Sequence, residues 1–414
     1  MQFKPHFNTN FFRKNIPSLP QYDWVLVGVV FVLCIFGLAF LGSSLTSNPK
    51  IGPDRYWSEL LKQGFLGVGF GFLAVFFLAR SDYHIWIKHR NNLMIGTLIM
   101  LFYVATFAII SAILGYDEAA KISFSNSFKF LPIRPAVVNN AFRWLDLPFG
   151  LPNIQPSEVA KITTLIFFAG GMGQFASQEF SFFNIKREVW VLILTLFMIF
   201  VQPDLGTVLL ISGIVWTGFL VAGARWKVLI WMVILVSGFG YGSIKLVAYR
   251  NTRVSAVSAQ VVNIQKAIAN GGLMGKGYGN SEYKQIGEIY EANTDGIIGV
   301  ISEEIGFVGT MVLLGMYLIL VYRGLQIAHS APDLEGRILA SGITVWLAGQ
   351  VFMNISGMTG LIPMKGIPLP FVSQGGTALV LNLLSVGILL SISHTKSLVP
   401  KSTLTKIQKS KTLS

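Results

Sequence analysis

Long apolar segments recur along nearly the whole chain, and they constrain the fold more than any other feature of the sequence. Many of them hold about 18–22 apolar residues, which is the length that an α-helix needs to cross the hydrocarbon core of a bilayer. The chain is 53% hydrophobic and only 12% charged, with a mean hydropathy of +0.61, unlike the composition of soluble domains. The sequence therefore predicts an all-α polytopic membrane protein.

Ten of these segments are predicted to span the membrane. The fifth is short and closes on Gln202-Pro203, so it forms a tight hairpin with the sixth. Together they make one membrane domain, 24–393, between a cytoplasmic tail at 1–23 and a basic tail at 394–414. The predicted spans are 24–42, 60–79, 92–114, 157–176, 188–201, 205–222, 226–248, 297–322, 338–358 and 369–392.

Basic residues orient the predicted bundle. They are dense in short connections on the side of the N-terminus, such as Arg80, Lys88 and Arg90 between spans two and three. Cytoplasmic loops carry such an excess, so both termini are predicted to be cytoplasmic. The two large loops then lie outside, at 115–156 between spans three and four and at 249–296 between spans seven and eight. The net charge of +13 follows from this distribution and does not indicate a nucleic-acid partner.

Cysteine-based chemistry is excluded by the composition. Cys34 is the only cysteine, and it lies in the first apolar segment. No disulfide can therefore form within the chain, and no cysteine-based metal site is possible. The five histidines are scattered without the spacing of metal ligands.

The second outer loop carries the strongest candidate for chemistry. A helical pattern ends at Gly271-Gly272, a glycine-rich stretch with Lys276 follows, and Asp295 stands directly before the eighth span. A carboxylate at this place can simply be stabilised by the positive end of the helix dipole, without a functional role. If protein and lipid shield it, its pKa rises toward neutrality and it can act as a general base.

Charged residues at the ends of spans are further candidates. Glu158 and Lys161 share one helix face at the start of span four, where they form either an internal salt bridge or a site for a lipid phosphate. Asp204 either caps the sixth helix or helps to bind a cation or to orient a residue in the cavity. Arg250 and Arg253 either reach lipid headgroups or bind phosphate through their forked donors.

Two further segments hold polar groups at membrane depth. Glu303 and Glu304 lie about two turns into span eight, and a structural role is favoured for Glu304. The segment 360–376 has too many prolines and glycines for a regular helix. Irregular backbone is tolerated in a membrane only where protein or a wet cavity satisfies it. This segment, which includes Ser373, is therefore predicted to line the same cavity as Asp295.

Five motifs occur in order along the chain, and together they resemble those of the RodA/FtsW family, also called the SEDS proteins. The resemblance covers nearly the whole chain, and Met364-Lys365-Gly366 slightly favours an FtsW-like over a RodA-like member. The motifs are Gln155-Pro156-Ser157-Glu158 with Lys161, Gln202 to Thr207, Gly275 to Asn280, Thr294-Asp295 followed by Glu303 to Gly306, and Leu369-Pro370 through Gly375-Gly376.

The resemblance implies a fold and an activity. It implies ten membrane helices in the bacterial cytoplasmic membrane and a peptidoglycan glycosyltransferase that polymerises lipid II at the outer face. It places Asp295 at the family's essential acidic position, as the general base. Cationic side chains or a divalent cation, Mg²⁺ or Mn²⁺, would stabilise the leaving diphosphate. The predicted substrate-binding residues are Glu158, Lys161, Arg250, Arg253, Asp204, Lys276 and Ser373.

The resemblance also implies partners, namely a class B penicillin-binding protein and other proteins of the divisome or elongasome. Two alternative functions stay open: a lipid II flippase and a non-catalytic scaffold for the penicillin-binding protein. The chain departs from the family pattern at three places. Asn153 stands where an arginine is frequent, Gly296 follows the Thr-Asp pair in place of the usual residues, and Gln374 replaces the usual tyrosine.

Overall fold

A computed structural model describes most of the chain, and most of its regular structure is helical. Within the described residues, six helices are long and apolar enough to cross a membrane, and Leu205–Val221 is a shorter apolar helix. The chain is therefore a multi-pass membrane protein. The tails predicted at 1–23 and 394–414 lie almost entirely outside the described residues. The described ranges are 22–46, 53–128, 133–138, 141–148, 153–173, 186–224, 226–246, 248–289, 291–362 and 366–398.

Helices follow one another along the chain, with a small sheet after the sixth. A π-helical turn, Lys62–Gly69, joins α2 to α3. The elements are α1 (Trp24–Thr46), α2 (Pro53–Leu61), α3 (Phe70–Arg80), α4 (His84–Lys88), α5 (Arg90–Ile113), α6 (Glu118–Asn126), β1 (Arg134–Val138), β2 (Ala141–Asp146), α7 (Pro156–Gly173), α8 (Lys186–Val201), α9 (Leu205–Val221), α10 (Trp226–Leu246), α11 (Ala248–Gly271), α12 (Glu282–Gln285), α13 (Ile297–Ser330), α14 (Leu334–Met358) and α15 (Gly376–Leu398).

Every predicted span overlaps a helix, but the tenth is wrong at its start. Residues 366–375 have irregular backbone, and α15 begins only at Gly376. Phe371 has a positive φ of 66°, and the backbone of this segment passes so close to Gly37 of α1 that a side chain there would collide with it. The glycine in α1 therefore allows the irregular segment to enter the bundle.

The first large loop adds a feature that the all-α prediction did not include, because β1 and β2 pair there as an antiparallel hairpin. Arg134 and Asp146 face each other at its open end, with Nε of the arginine 2.6 Å from Oδ2 of the aspartate. On the inner face, Phe142 is buried against Phe107 of α5 and Phe124 of α6. This aromatic cluster holds the loop against the end of α5.

The centre of the bundle is α14, which packs against α7, α9, α13 and α15. Its small residues allow close approach of the helices: Gly342 lies against Leu165 of α7, and Thr344 packs against Gly324 of α13. Small residues at helix contacts serve this purpose in membranes, where there is no hydrophobic driving force between helices. Most side chains on α14 are therefore buried in the interior of the molecule.

The helix predicted as a continuous span from 297 to 322 is broken at Gly306, which has φ 69° and ψ −169°. The glycine-rich loop after α11 inserts at this break. The N–H groups of Phe307 and Val308 donate to the carbonyl oxygens of Gly272 and Leu273 at 2.9 and 3.1 Å. Backbone groups released by the break are thereby satisfied, as the interior of a membrane requires.

Candidate functional site

Asp295 lies in the turn that leads into α13, and it is only 7% exposed. The hydroxyl of Thr294 lies 2.9 Å from Oε2 of Glu291 and 3.4 Å from Oδ1 of Asp295. Burial, followed by the negative charge of Glu291, raises the pKa of Asp295 to about 7, and hydrogen bonds from nearby groups oppose this only partly. A carboxylate with this pKa can accept a proton near neutral pH.

Three neighbouring residues in this turn are held by hydrogen bonds from elsewhere in the chain, two from side chains and one from the backbone. Asn354 of α14 donates from Nδ2 to the carbonyl oxygen of Asp295 at 2.9 Å. The hydroxyl of Ser373 donates to the carbonyl oxygen of Thr294 at 2.5 Å. The backbone N–H of Gln374 donates to the carbonyl oxygen of Asn293 at 2.8 Å. The turn is therefore fixed on two sides, by α14 and by the irregular segment before α15.

The irregular segment also lies directly against the carboxylate. A Cβ at Gly366, which has a φ of 62°, would be 3.5 Å from Oδ2 of Asp295. The second amide bond of Asn354, from Nδ2 to the carbonyl oxygen of Ile367 at 2.8 Å, ties this part of the segment to α14. The structure thus places the segment predicted from its prolines and glycines beside Asp295. The hydroxyl of Ser373 has two protein partners, and substrate binding by this residue stays a prediction.

Glu158 and Lys161 form a buried ion pair in α7, with Nζ of the lysine 2.7 Å from Oε2 of the glutamate. The lysine is completely buried, and its Nζ lies 5.0 Å from the ring centre of Trp346 on α14. A pair desolvated to this degree is stable only because each charge has the other as its partner. The salt bridge that the sequence offered as one alternative is therefore present.

Polar side chains line one face of α14 between this ion pair and Asp295. Trp346, Gln350 and Asn354 are spaced by four residues and therefore share a helix face. All three are buried, and both amide atoms of Gln350 lack a hydrogen-bond partner within the described protein. The rise of an α-helix separates Trp346 from Asn354 by about 12 Å. The ion pair and Asp295 thus lie near the two ends of one polar face. Gln350 and Asn354 are polar residues inside an apolar span, and this sequence signal could have indicated the face.

Asp204 caps α9 and connects two of the sequence motifs. Its Oδ1 accepts from the backbone N–H of Thr207 at 3.1 Å, and its Oδ2 accepts from the hydroxyl of Ser157 at 2.9 Å. The amide of Gln155 adds a bond of 3.2 Å to the same oxygen. The capping alternative is thus confirmed, and the carboxylate fixes the start of α7 to the start of α9.

Glu303 and Glu304 hold the loop that lies between α11 and α13. Glu304 pairs with Lys284, whose Nζ is 2.8 Å from Oε1, and both side chains are buried. Glu303 accepts hydrogen bonds from the hydroxyl of Ser281 at 2.5 Å and from the amide of Asn270 at 2.8 Å. The structural role expected for Glu304 is confirmed, and Glu303 has a similar one.

Three cationic candidates remain, and the structure describes the side chain of only one of them, Lys276. The Nζ atom of Lys276 is 3.7 Å from Oε1 of Glu282, on a half-exposed side chain. Its backbone N–H donates to the carbonyl oxygen of Glu303 at 3.0 Å. Arg250 and Arg253 lie in α11, and their side chains are outside the described part of the structure. Phosphate binding by these three residues stays a prediction.

Beside Asp295, the protein could supply only a few ligands to a metal ion. Within the described residues, no group of three or more His, Cys, Asp and Glu side chains is placed to hold a metal ion. Glu291 and Asp295 approach the same hydroxyl and could supply two carboxylates. Mg²⁺ is commonly bound by one or two carboxylates together with phosphate oxygens of a substrate. The carboxylates present are therefore compatible with a cation that binds with a diphosphate.

Comparison with known proteins places these motifs in a family. Residues 127–398 match the family model of the FtsW, RodA and SpoVE cell cycle proteins. The chain belongs to this family. It is 31% identical over 396 residues to the probable peptidoglycan glycosyltransferase FtsW of Geobacter metallireducens, a match that covers 92% of this chain and 97% of that protein.

Other relatives and solved structures agree with this assignment. The peptidoglycan glycosyltransferase MrdB of Escherichia coli is 32% identical, but over only 64% of this chain and 75% of its own length. The longer FtsW match supports the FtsW-like leaning. A chain from a peptidoglycan synthase complex has a TM-score of 0.70 at 23% identity, covering 91% of this chain and 99% of its own. RodA of Thermus thermophilus has a TM-score of 0.63 at 22% identity, covering 92% and 99%. The chain thus shares the fold of these two solved structures.

Proposed function

We propose that the chain is a peptidoglycan glycosyltransferase of the FtsW type, which polymerises lipid II at the outer face of the bacterial cytoplasmic membrane. The observation that carries the proposal is the buried Asp295, whose pKa of about 7 suits a general base. The names of its relatives support the reaction class, because the FtsW and MrdB proteins are described as peptidoglycan glycosyltransferases. The structure supports a rigid setting for the base through Asn354, Ser373 and Gln374.

In the proposed reaction, Asp295 takes the proton from the 4-hydroxyl of the sugar of the acceptor lipid II. The oxygen forms a bond to the anomeric carbon of the growing glycan as the bond from that carbon to the diphosphate breaks. Undecaprenyl diphosphate leaves with the bonding electron pair. Holding the base in place lowers the barrier because its position is fixed before the reaction begins.

The leaving diphosphate needs positive charge. Lys161 is already paired with Glu158, so its charge is balanced inside the bundle. Arg250 and Arg253 stay candidates for this role, as does a divalent cation held by Glu291 together with diphosphate oxygens. Mg²⁺ or Mn²⁺ would supply charge stabilisation of the leaving group. We also keep Lys276, Asp204 and Ser373 as candidates that contact the substrate or hold its binding site in place.

The proposed topology has ten spans with both termini in the cytoplasm and Asp295 at the outer surface. Six helices meet the length and hydropathy of spans among the described residues, and shorter helices would complete the bundle. The proposed partner is a class B penicillin-binding protein, alongside other divisome or elongasome proteins. Its support is the similarity to a chain in a peptidoglycan synthase complex that coordinates polymerization and crosslinking.

The experiment uses purified full-length protein, with and without a class B transpeptidase and with Mg²⁺, Mn²⁺ or a chelator. Labelled lipid II in detergent is the substrate, and a gel resolves the glycan strands. The proposal expects strands when the partner is present. The protein would be a flippase instead if it binds lipid II and moves it across vesicle membranes but makes no strands under any of these conditions.

A further inference from the structure

The side chain of Gln374 joins two elements that meet beside Asp295. Its Nε2 donates to Oε2 of Glu59 in α2 at 2.9 Å. Its Oε1 accepts a hydrogen bond from Nδ2 of Asn293, two residues before Asp295. These bonds are in addition to the backbone bond between Gln374 and Asn293 at 2.8 Å. The amide therefore makes one contact on α2 and one on the turn that carries Asp295.

We infer that Gln374 is a positioning residue for Asp295, which it serves by tying the turn 293–295 to α2. The inference rests on the proposed function, because it assumes that Asp295 is the base of the reaction. Gln374 occupies the position at which the sequence departs from the family's usual tyrosine. The departure thus has a structural meaning in this chain.

The chemistry of the two partners selects an amide. Glu59 presents an acceptor, and the amide group of Asn293 presents a donor. A glutamine side chain supplies one of each at its end, so it satisfies both partners at once. A carboxylate in its place would meet Glu59 with two acceptors and no proton, and an aliphatic side chain would satisfy neither partner.

The hydrogen bonds of Gln374 hold the turn 293–295 from a second side. Asn354 holds Asp295 from the side of α14, whereas Gln374 holds Asn293 from the side of α2. The amide of Gln63 strengthens the second side by donating to the carbonyl oxygen of Ser373 at 3.3 Å. A catalytic group that moves by about 1 Å can lose about 100-fold in rate. Loss of one support should therefore reduce turnover and leave substrate affinity largely unchanged.

The chain offers a matched pair of exchanges. In Gln374→Glu, the new carboxylate faces Glu59, and repulsion replaces a hydrogen bond. In the double variant Gln374→Glu with Glu59→Gln, the glutamine at position 59 donates to the carboxylate, which still accepts from Asn293. The double variant keeps one carboxylate in this pair and moves it from position 59 to position 374, a distance of roughly 3 Å, which is about one hydrogen-bond length. The exposed pair of Glu59 and Lys62 that is lost contributes little.

The test compares kcat and KM for lipid II polymerisation by the full-length protein with its transpeptidase. Gln374→Glu should lower kcat by about 10-fold to 100-fold with KM changed by less than about 3-fold. The double variant should recover kcat to within about 3-fold of the wild type. If Gln374→Glu does not fold, Gln374→Leu replaces it, because it removes both side-chain bonds without adding charge.

The inference alone would be overturned by a wild-type kcat in folded Gln374→Glu and Gln374→Leu, or by a double variant as slow as Gln374→Glu. A rise in KM at constant kcat would also overturn it, because that result indicates substrate binding rather than positioning. A wild-type protein that makes no strands would overturn the proposed function first, and the inference with it. The failures of the two proposals are therefore distinguishable.

Discussion

At the scale of single residues, Asp295 owes its chemistry to burial more than to any single partner. The side chain is 7% exposed, and Glu291 adds a like charge nearby. Both effects disfavour the ionised form. The protonation state of this one carboxylate should therefore control activity in the neutral pH range.

Turnover should rise with pH and level off above a midpoint of about 7, since the base must be deprotonated to act. The measurement is kcat for strand formation between pH 5 and pH 9. Glu291→Gln removes the like charge and should shift the midpoint to lower pH. A kcat that stays constant between pH 5 and pH 9, as expected for a carboxylate with the ordinary aspartate pKa of 3.8, would show that Asp295 is not the titrating base.

Lys161→Met should destabilise the protein strongly, because it leaves Glu158 buried without its partner. The expected loss is about 3–5 kcal/mol in the free energy of unfolding. Apparent melting temperatures in detergent would measure the effect. The double variant Glu158→Gln with Lys161→Met should be more stable than the single one. Equal melting temperatures of wild type and Lys161→Met would contradict this role of the ion pair.

The sequence could predict these residues and the local pair of Glu158 with Lys161, but not the partners that come from distant segments. Asp295 was identifiable because an acidic residue directly before an apolar span is conspicuous, and Glu158 with Lys161 because their spacing places them on one helix face. Asn354 and Gln374 reach the turn only through the packing of distant segments, 59 and 81 residues away in the chain. No local pattern encodes such contacts.

At the scale of elements, the break in α13 determines the shape of the region below Asp295. The first part of the helix carries Glu303 and Glu304, which bind the loop before it, and the loop in turn satisfies the backbone at the break. The sequence did not reveal the break, because a glycine in an apolar helix is usually tolerated. Its conformation depends on the inserted loop.

Gly306→Ala should destabilise the protein by about 1–3 kcal/mol or more, because its φ of 69° is strained for alanine. A Cβ there would also collide with the backbone of Leu273 and Gly275. The matched control is Gly315→Ala in the same helix, where a Cβ meets no atom within 4 Å. That variant should be neutral or stabilising. Melting temperatures that fall equally in both variants would contradict the account.

At the scale of the whole molecule, hydropathy predicted the class of protein and the approximate place of the helices. Helix ends were less accurate, and the hairpin of β1 and β2 was not foreseen, because tertiary contacts with Phe107 determine it. Orientation in the membrane rests on the distribution of lysine and arginine. The predicted orientation determines which loops a reagent outside the cell can reach.

In a Cys34→Ser background, the cysteine of Ile286→Cys should react with an impermeant reagent from outside the cell. Ile286 is 65% exposed in the predicted outer loop. Cysteine at position 82 should react only after the membrane is opened, because Asp82, with a side chain 57% exposed, lies in a predicted inner loop. Wild-type Cys34 is buried and should not react. The reverse labelling pattern would contradict the proposed topology.

The measurement that tests the central claim most directly is strand formation by Asp295→Asn, with Asp295→Glu as the matched control. Asparagine keeps the size of the side chain but cannot accept the proton, so kcat should fall by about 10²-fold to 10⁴-fold. Lipid II binding and the melting temperature should be retained, and Asp295→Glu should keep measurable activity. Activity of folded Asp295→Asn within about threefold of the wild type would contradict the assignment of Asp295 as the base.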